Sequence, residues 1–231
     1  MDGFFSPESF FSLEAFTHSA VFANCVYVWQ ALEKLEAYIL SQPLGVNEAK
    51  EQEYAYLVNP ERISIGEGTV IEPGAYIRGP CIIGKNCQIR QGAYIRGNVL
   101  IGDRCIVGHT TELKHAILLN HARAAHFAFV GDSILGNDVN LGAGVKCANL
   151  RLDGQPVVVR HNNLSIATGL RKFVAILGDG AQIGCNAVLN PGTLFGPNTK
   201  CFPAVCIGGV IESGKLVKSV KRTEIVDDRF E

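Results

Sequence analysis

The most constraining feature of this sequence is an aliphatic residue that returns at every sixth position between residues 65 and 113. A helix repeats near 3.6 residues and a half-buried strand repeats at 2. A period of six fits neither and is typical of a parallel β-helix built from hexapeptides. The positions in register are Ile65, Ile71, Ile77, Ile83, Ile89, Ile95, Ile101, Val107 and Leu113.

The residue two positions before each aliphatic residue is usually small, as at Ala75, Cys81 and Cys87. We expect the aliphatic side chain to fill a prism and the small one to fit its narrow corner. Glycine often follows the aliphatic residue and eases the turn. Three hexads close one triangular coil in such proteins, so residues eighteen apart are expected to stack. Residues six apart are then expected on different faces.

The repeat slips twice and is then lost before it resumes. The register moves by one residue to reach Leu118, and by one more to reach Leu135. From residue 150 to about residue 175 no hexad is visible, which predicts a long excursion loop or hairpin. The hexads resume at Leu177 and continue to Ile207. Because irregularities in a regular scaffold often mark function, we expect the site near these interruptions.

The segment before the hexads predicts helices. Ser6-Pro7-Glu8 is typical of a helix start, and a short Phe-rich helix is predicted to about Phe16. A second helix is predicted from Ser19 to Ser41, because apolar residues recur there at spacings of three and four. This apolar stripe is expected either to cover the open end of the β-helix or to pack against a neighbouring subunit.

The chain of 231 residues suits one domain with an appendage. We predict a helical segment and linker over residues 1–62, a β-helix domain over 63–212, and a tail over 213–231. The net charge of -1 argues against a nucleic-acid surface, and no apolar run approaches the about 20 residues that a membrane span needs. The N-terminus shows no signal peptide and cysteines occupy the small inward positions, which predicts reduced thiols in a cytoplasmic protein.

Histidines at positions 109, 115, 121 and 126 raise the alternative of a metal site. His121-x4-His126 resembles the zinc histidine pair of the γ-class carbonic anhydrases, another left-handed β-helix family. The spacing by six, however, places His109 and His115 on different faces, and that family's Arg-Gly-Asp element is missing. We therefore expect no metal.

The most specific signal lies between His126 and Gly154. It consists of residues 126–133 (HFAFVGDS), 140–144 (NLGAG) and 147–154 (CANLRLDG), followed by 168–172 (TGLRK). Together they resemble the acetyltransferase domain of the bifunctional N-acetylglucosamine-1-phosphate uridyltransferase/glucosamine-1-phosphate acetyltransferase family. The resemblance is greatest to its sugar-1-phosphate nucleotidylyltransferase/acetyltransferase branch, and it covers roughly residues 65–212.

This resemblance implies a mainly β fold built on a left-handed parallel β-helix. The residue patterns add an N-terminal α-helical appendage and a long excursion loop. The resemblance implies acetyl-CoA-dependent N-acetylation of an amino-sugar 1-phosphate in the synthesis of cell-envelope precursors. Glucosamine 1-phosphate is the leading candidate for the acceptor. The resemblance also implies a homotrimer whose active sites lie between subunits, with the 150–175 loop long enough to reach a neighbour. Acetyl-CoA would act as a co-substrate, and no tightly bound cofactor is expected.

The resemblance also assigns roles to individual residues. His126 matches the general base that takes a proton from the sugar amine, and Asn149 matches an asparagine that orients this base. A histidine suits the task because the attacking amine must be neutral, and a phosphate calls for fixed cations. Matches to the sugar-phosphate site are Lys114, either Arg90 or Arg96, Asn140, Phe129, Arg171 and Lys172. Matches to the acetyl-CoA site are Ala143, Cys185, Pro203, Lys218, Lys221 and Arg222.

Three departures from the family pattern bear on function. Leu150 replaces the tyrosine that follows the family asparagine, although the nucleotidylyltransferase/acetyltransferase branch shares this change. Phe129 stands where the family usually has tyrosine, so a hydroxyl group is lost. Nothing resembles the Gly-rich start of the uridyltransferase domain, so the chain is not expected to make a nucleotide sugar by itself. The alternative function is therefore a non-catalytic sugar-phosphate-binding or scaffold subunit that partners a separate nucleotidyltransferase. Phe129 favours this alternative, whereas intact His126, Asn140 and Asn149 favour the enzyme.

Overall fold

The computed structural model describes residues 3–50 and 52–219, and its main body is a left-handed parallel β-helix. Short strands run around a triangular column, and each of its three faces stacks eight strands within the described residues. We call the faces A, B and C in the order in which the chain visits them. The predicted fold class is confirmed.

The strands of each face stack in parallel from coil to coil. Face A contains β1 (Tyr56–Val58), β4 (Tyr76–Arg78), β7 (Tyr94–Ile95), the first half of β10 (Glu112–Leu118), the first half of β12 (Phe129–Leu135), β14 (Lys146–Cys147), β19 (Val188–Leu189) and β22 (Cys206–Ile207). Face B contains β2 (Ile63–Ile65), β5 (Cys81–Ile83), β8 (Val99–Ile101), the second halves of β10 and β12, β17 (Ala175–Leu177), β20 (Thr193–Phe195) and β23 (Val210–Ile211). Face C contains β3 (Val70–Ile71), β6 (Gln88–Ile89), β9 (Ile106–His109), β11 (Arg123–His126), β13 (Asn140–Leu141), β18 (Gln182–Ile183), β21 (Lys200–Cys201) and β24 (Leu216–Val217).

The predicted inward positions form the core of the prism. All nine aliphatic residues of the first hexad run are buried, and the pairing of Ile71 with Ile89 and of Ile89 with Val107 confirms the stacking of residues eighteen apart. The small residues before them are buried too, including Cys81 and Cys87. All eight cysteines are unpaired. Burial raises the pKa of the Cys147 thiol to about 12, so it remains neutral and packs as a small apolar group.

Both register slips are confirmed, and the structure places them at the corner between faces A and B. The strands β10 and β12 pass through this corner without a break. Paired residues here differ by 17 in number, as Ala116 and Ser133 do, rather than by 18. His115 and Asp132 turn the chain at the two shortened corners with φ of 50° and 48°. The slips therefore alter one edge of the column.

The N-terminal segment covers the outside of face B. The outward residues of face B, such as Leu100, Ile117 and Ile134, are buried against it, and each contributes about 1.5–3 kcal/mol by leaving water. The helix α1 (Gln30–Leu40) packs on β8, β10 and β12. The segment thus lies along the side of the column, and the expected cover over its open end is wrong for this stretch.

The predicted N-terminal helices are shorter than expected. The structure has 3-10 turns at Pro7–Ser9 and Ser19–Phe22, and the α-helix begins only at Gln30. Asn24 has a φ of 56°, which a continuous right-handed helix does not allow. Burial of the apolar side chains therefore does not require helical backbone before Gln30. Among the described residues, no helix is long and apolar enough to cross a membrane.

The excursion after β14 is a hairpin that packs on its own column. It contains the antiparallel strands β15 (Val158–His161) and β16 (Leu164–Ala167). Val157 and Val159 are buried in the same apolar cluster as the N-terminal segment. The valines anchor the hairpin on face B, and the expected reach toward a neighbouring subunit stays a prediction.

We predict that Gly108→Ala strongly destabilises the fold. A Cβ atom at Gly108 would lie 1.6 Å from the backbone oxygen of Ala125 in the next coil. The backbone of the neighbouring strand is held by hydrogen bonds and cannot move aside, so the two coils must separate locally. We expect the free energy of unfolding to fall by more than about 3 kcal/mol. Denaturant unfolding measures this loss.

The matched control is Gly208→Ala, where the nearest atom would be 3.3 Å away on the side chain of Asn190. Similar midpoints for the two variants would contradict the close approach at Gly108.

Candidate active site

His126 lies at the corner between faces C and A, at the end of β11, with an exposed side chain. Three of the residues matched to the acetyl-CoA site follow it on successive coils of this corner. The N–H of Gly144 donates to the carbonyl of His126 at 3.0 Å, and the next two coils repeat this contact at the carbonyls of Ala143 and Cys185 at 2.8 Å. Strand pairing then aligns Cys185 with Pro203.

The side chains along this corner leave an open edge beside the imidazole. Alanine, cysteine and proline are small or flat, so an extended molecule has room to lie along the column toward His126. Phe127 is 55% exposed beside it and stacks edge to face on His109, with ring centroids 5.1 Å apart. Asn140 lies on the outer side of face C, in the coil that carries Ala143. This corner therefore combines an exposed imidazole with a row of small side chains.

Cations occupy the opposite edge of face A, at the A–B corner. Arg78, Arg96 and Lys114 follow one another on three successive coils, because the residues preceding them are paired in register. They line a pocket of about 360 Å³ together with Arg62. Arg90 is not among the lining residues. Of the two candidates for the second cation, the structure therefore brings only Arg96 beside Lys114.

Asp132 is the polar centre of this pocket, and no sequence motif gave it a role. Its side chain is buried, accepts a hydrogen bond from Asn149 Nδ2 at 2.6 Å and lies 3.4 Å from Lys114 Nζ. Asn149 is thus engaged away from His126 in the same chain. The ring of Phe129 lies close to Gly131 and to the Asn149 amide. An acid at the second register slip was the signal available in the sequence.

His115 and Glu36 complete the wall of the pocket that faces α1. Burial lowers the pKa of His115, while the negative charge of Asp132 opposes the shift. The imidazole therefore tends to be neutral near pH 7, since its ordinary pKa is about 6.5. The N-terminal segment contributes Glu36 and so helps to form the pocket.

Within one chain the two groups of predicted site residues are kept apart by the width of face A. Lys114 pairs with Gly131, and the stretch from His126 to Gly131 is on the order of 15 Å when extended. The structure therefore joins Lys114, Arg96, Phe129 and Asn149, but not these with His126.

The remaining predicted residues lie at several places. Lys172 pairs with Leu150, beside Asn149, and Arg171 is exposed next to it. Lys218 is exposed just after the last strand. The predictions for Lys221 and Arg222 lie outside the described residues.

The four histidines of the metal alternative are also distributed. His109 and His126 are paired on one corner, His115 lies on the A–B corner, and His121 faces Asp138 at 3.9 Å. No group of three or more His, Cys, Asp or Glu side chains suited to a metal ion occurs within residues 3–50 and 52–219.

Comparison with known proteins finds relatives that contain acetyltransferases. A family model described as the GMPPB C-terminal domain matches residues 77–168. A bifunctional sugar-1-phosphate nucleotidylyltransferase/acetyltransferase from Sulfurisphaera tokodaii is 31% identical over 112 residues, which is 48% of this chain and 28% of that protein. The bifunctional protein GlmU from Methanococcus vannielii is 37% identical over 93 residues, 40% of this chain and 22% of that one. Part of this chain is thus similar in sequence to part of each of these bifunctional proteins.

A further relative is an uncharacterized acetyltransferase, YaiX, from Escherichia coli strain 536. It is 38% identical over 152 residues, which is 66% of this chain and 66% of that protein. The matched segment thus spans slightly less than two thirds of YaiX and less than a third of the bifunctional relatives above. Among solved structures, an Arabidopsis UDP-N-acetylglucosamine acyltransferase covers 74% of this chain and 66% of its own at 15% identity, with a TM-score of 0.46.

Proposed function

We propose that this protein is an acetyl-CoA-dependent N-acetyltransferase whose acceptor is an amino-sugar 1-phosphate. Glucosamine 1-phosphate is the leading candidate. The observation that carries the proposal is the corner on which His126 precedes Ala143, Cys185 and Pro203. The row of small side chains along this corner leaves room for the extended arm of coenzyme A, with the thioester at the imidazole. One of the relatives is named a bifunctional sugar-1-phosphate nucleotidylyltransferase/acetyltransferase, which agrees with this chemistry.

The proposed reaction needs one base and one positioned thioester. The lone pair of the neutral amine attacks the thioester carbonyl carbon, the C–N bond forms, and the C–S bond breaks. His126 takes the proton that the amine nitrogen loses and returns it to the departing thiolate, so that coenzyme A leaves as a thiol. Histidine is the side chain most often used for both transfers, because an imidazole can accept and release a proton near neutral pH.

The acceptor's phosphate is proposed to bind at the A–B corner, at Arg96 and Lys114. In glucosamine 1-phosphate the amine and the phosphate are on adjacent ring carbons, so both groups lie close together. One chain keeps Lys114 and His126 apart by the width of face A. We therefore propose a homotrimer in which His126 of one column meets the A–B corner of the next, as closed symmetry and the need for a concave pocket favour.

A thiol-release assay with acetyl-CoA and a panel of amino-sugar phosphates tests the function. We expect release with glucosamine 1-phosphate and none with the same sugar already N-acetylated. The second candidate is a non-catalytic sugar-phosphate-binding or scaffold subunit that partners a nucleotidyltransferase, which Phe129 favours because the ring offers no hydroxyl. Binding of the sugar phosphate without any thiol release would establish this second candidate.

Lys114→Ala is expected to raise KM for the sugar phosphate by about tenfold or more while changing kcat little. The ammonium group would bind the same phosphate in the ground state and the transition state, which is uniform binding. Steady-state kinetics measures both constants. Lys200→Ala, an exposed lysine on face C, is the matched control. An unchanged KM in Lys114→Ala would remove this lysine from the acceptor site.

A further inference from the structure

The pocket at the A–B corner contains two arginines that the proposed monophosphate does not require. Arg96 is already paired with Glu112 at 2.6 Å, and Lys114 with Asp132 at 3.4 Å. Arg62 and Arg78 line the same pocket, and neither has a carboxylate within 4.0 Å among the described residues. Two unpaired arginines in one pocket favour the binding of an anion there.

The position of these arginines separates them from Lys114. Arg78 lies two coils before Lys114, and at about 4.8 Å per stacked strand this is roughly 10 Å along the column. The stem of Arg62 packs against Gly79, directly beside Arg78, since a Cβ at Gly79 would lie 2.7 Å from the Arg62 Cβ. A single phosphate group cannot contact both ends of this row at once.

One acceptor for a sugar hydroxyl lies in the same pocket. Glu36 contributes a carboxylate from α1. The pocket thus offers cations for phosphates and an acceptor for a sugar.

We propose that Arg62 and Arg78 form a second anion subsite, which binds the outer phosphate of a diphosphate ester. The acceptors would then include nucleotide-activated amino sugars as well as amino-sugar 1-phosphates. The first phosphate lies at Arg96 and Lys114, and the second, bridged to it through one oxygen, lies beside it on the side of Arg78 and Arg62. The acceptor class rests on the proposed function, whereas binding of a diphosphate at this subsite does not.

Calorimetric titration with inorganic phosphate and inorganic pyrophosphate at fixed ionic strength tests the subsite. Arg78→Gln and Arg62→Gln are each expected to weaken pyrophosphate binding about tenfold and phosphate binding less than about twofold. The control Arg160→Gln removes the same charge from an exposed position on the excursion hairpin and is expected to change neither. Equal losses for the two anions, or no loss with pyrophosphate, would overturn the subsite.

Turnover with UDP-glucosamine and with glucosamine 1-phosphate separates this inference from the proposed function. If the protein binds pyrophosphate through Arg78 but acetylates neither sugar, the subsite is supported and the proposed function is refuted. If the protein acetylates glucosamine 1-phosphate but the Arg78 and Arg62 variants bind pyrophosphate like wild type, the proposed function is supported and the subsite is refuted. If the inference holds, Arg78→Gln raises KM for UDP-glucosamine about tenfold more than for glucosamine 1-phosphate.

Discussion

Replacing His126 by alanine is expected to lower turnover by about 100- to 10,000-fold, which is the range for loss of a general base. Without the imidazole the amine must lose its proton to water during attack on the thioester. The side chain of His126 is exposed and its contribution to the core is small, so the fold is expected to persist. Thiol release measures the rate, and circular dichroism with thermal unfolding measures the fold.

The matched control for this variant is His109→Ala. His109 pairs with His126 on the same corner and is the same residue type one coil earlier. We expect it to retain most of the activity, because Ala143, Cys185 and Pro203 extend from His126 in the opposite direction along the column. A folded His126→Ala protein with near-wild-type turnover would show that another group accepts the proton.

The second large effect is recovery of activity when two impaired chains are mixed. His126→Ala chains lack the base. Lys114→Ala chains bind the acceptor poorly, so their rate is low when the acceptor concentration is well below their KM. If each site takes His126 from one column and Lys114 from the next, a mixed trimer has one intact site in three. Random reassembly at equal amounts makes three quarters of the trimers mixed, so about one quarter of wild-type activity is expected.

This experiment has two controls. Each variant is carried separately through the same dissociation and reassembly, and light scattering must give about three times the single-chain mass of 24.9 kDa. A mass of one chain would refute the trimer. A clean trimer without recovered activity would place His126 and Lys114 in one chain's site, and face A would have to be bridged by other means.

Much of the column was predictable from the sequence because its physics is local and repetitive. Every coil buries one aliphatic side chain per face, so the order of residues alone displays a period of six, two slips and one excursion. The interior position of Cys81 and Cys87 followed from the same register. The stacking of Arg78, Arg96 and Lys114 was also implicit, because their spacing of eighteen is one coil. The run from His126 to Gly154 pointed to the relatives that sequence comparison then supported.

What only the tertiary structure decided depends on contacts between distant parts of the chain. The N-terminal stripe could have covered an end, a neighbour or a face, and the buried outward residues of face B selected the face. The excursion lies on its own column because Val157 and Val159 join that same cluster. Asn149 donates to Asp132 rather than toward His126, a partnership that register and burial create and no motif records. The sequence by itself determined the repeating column and its candidate groups, whereas packing determined which of these groups share a corner.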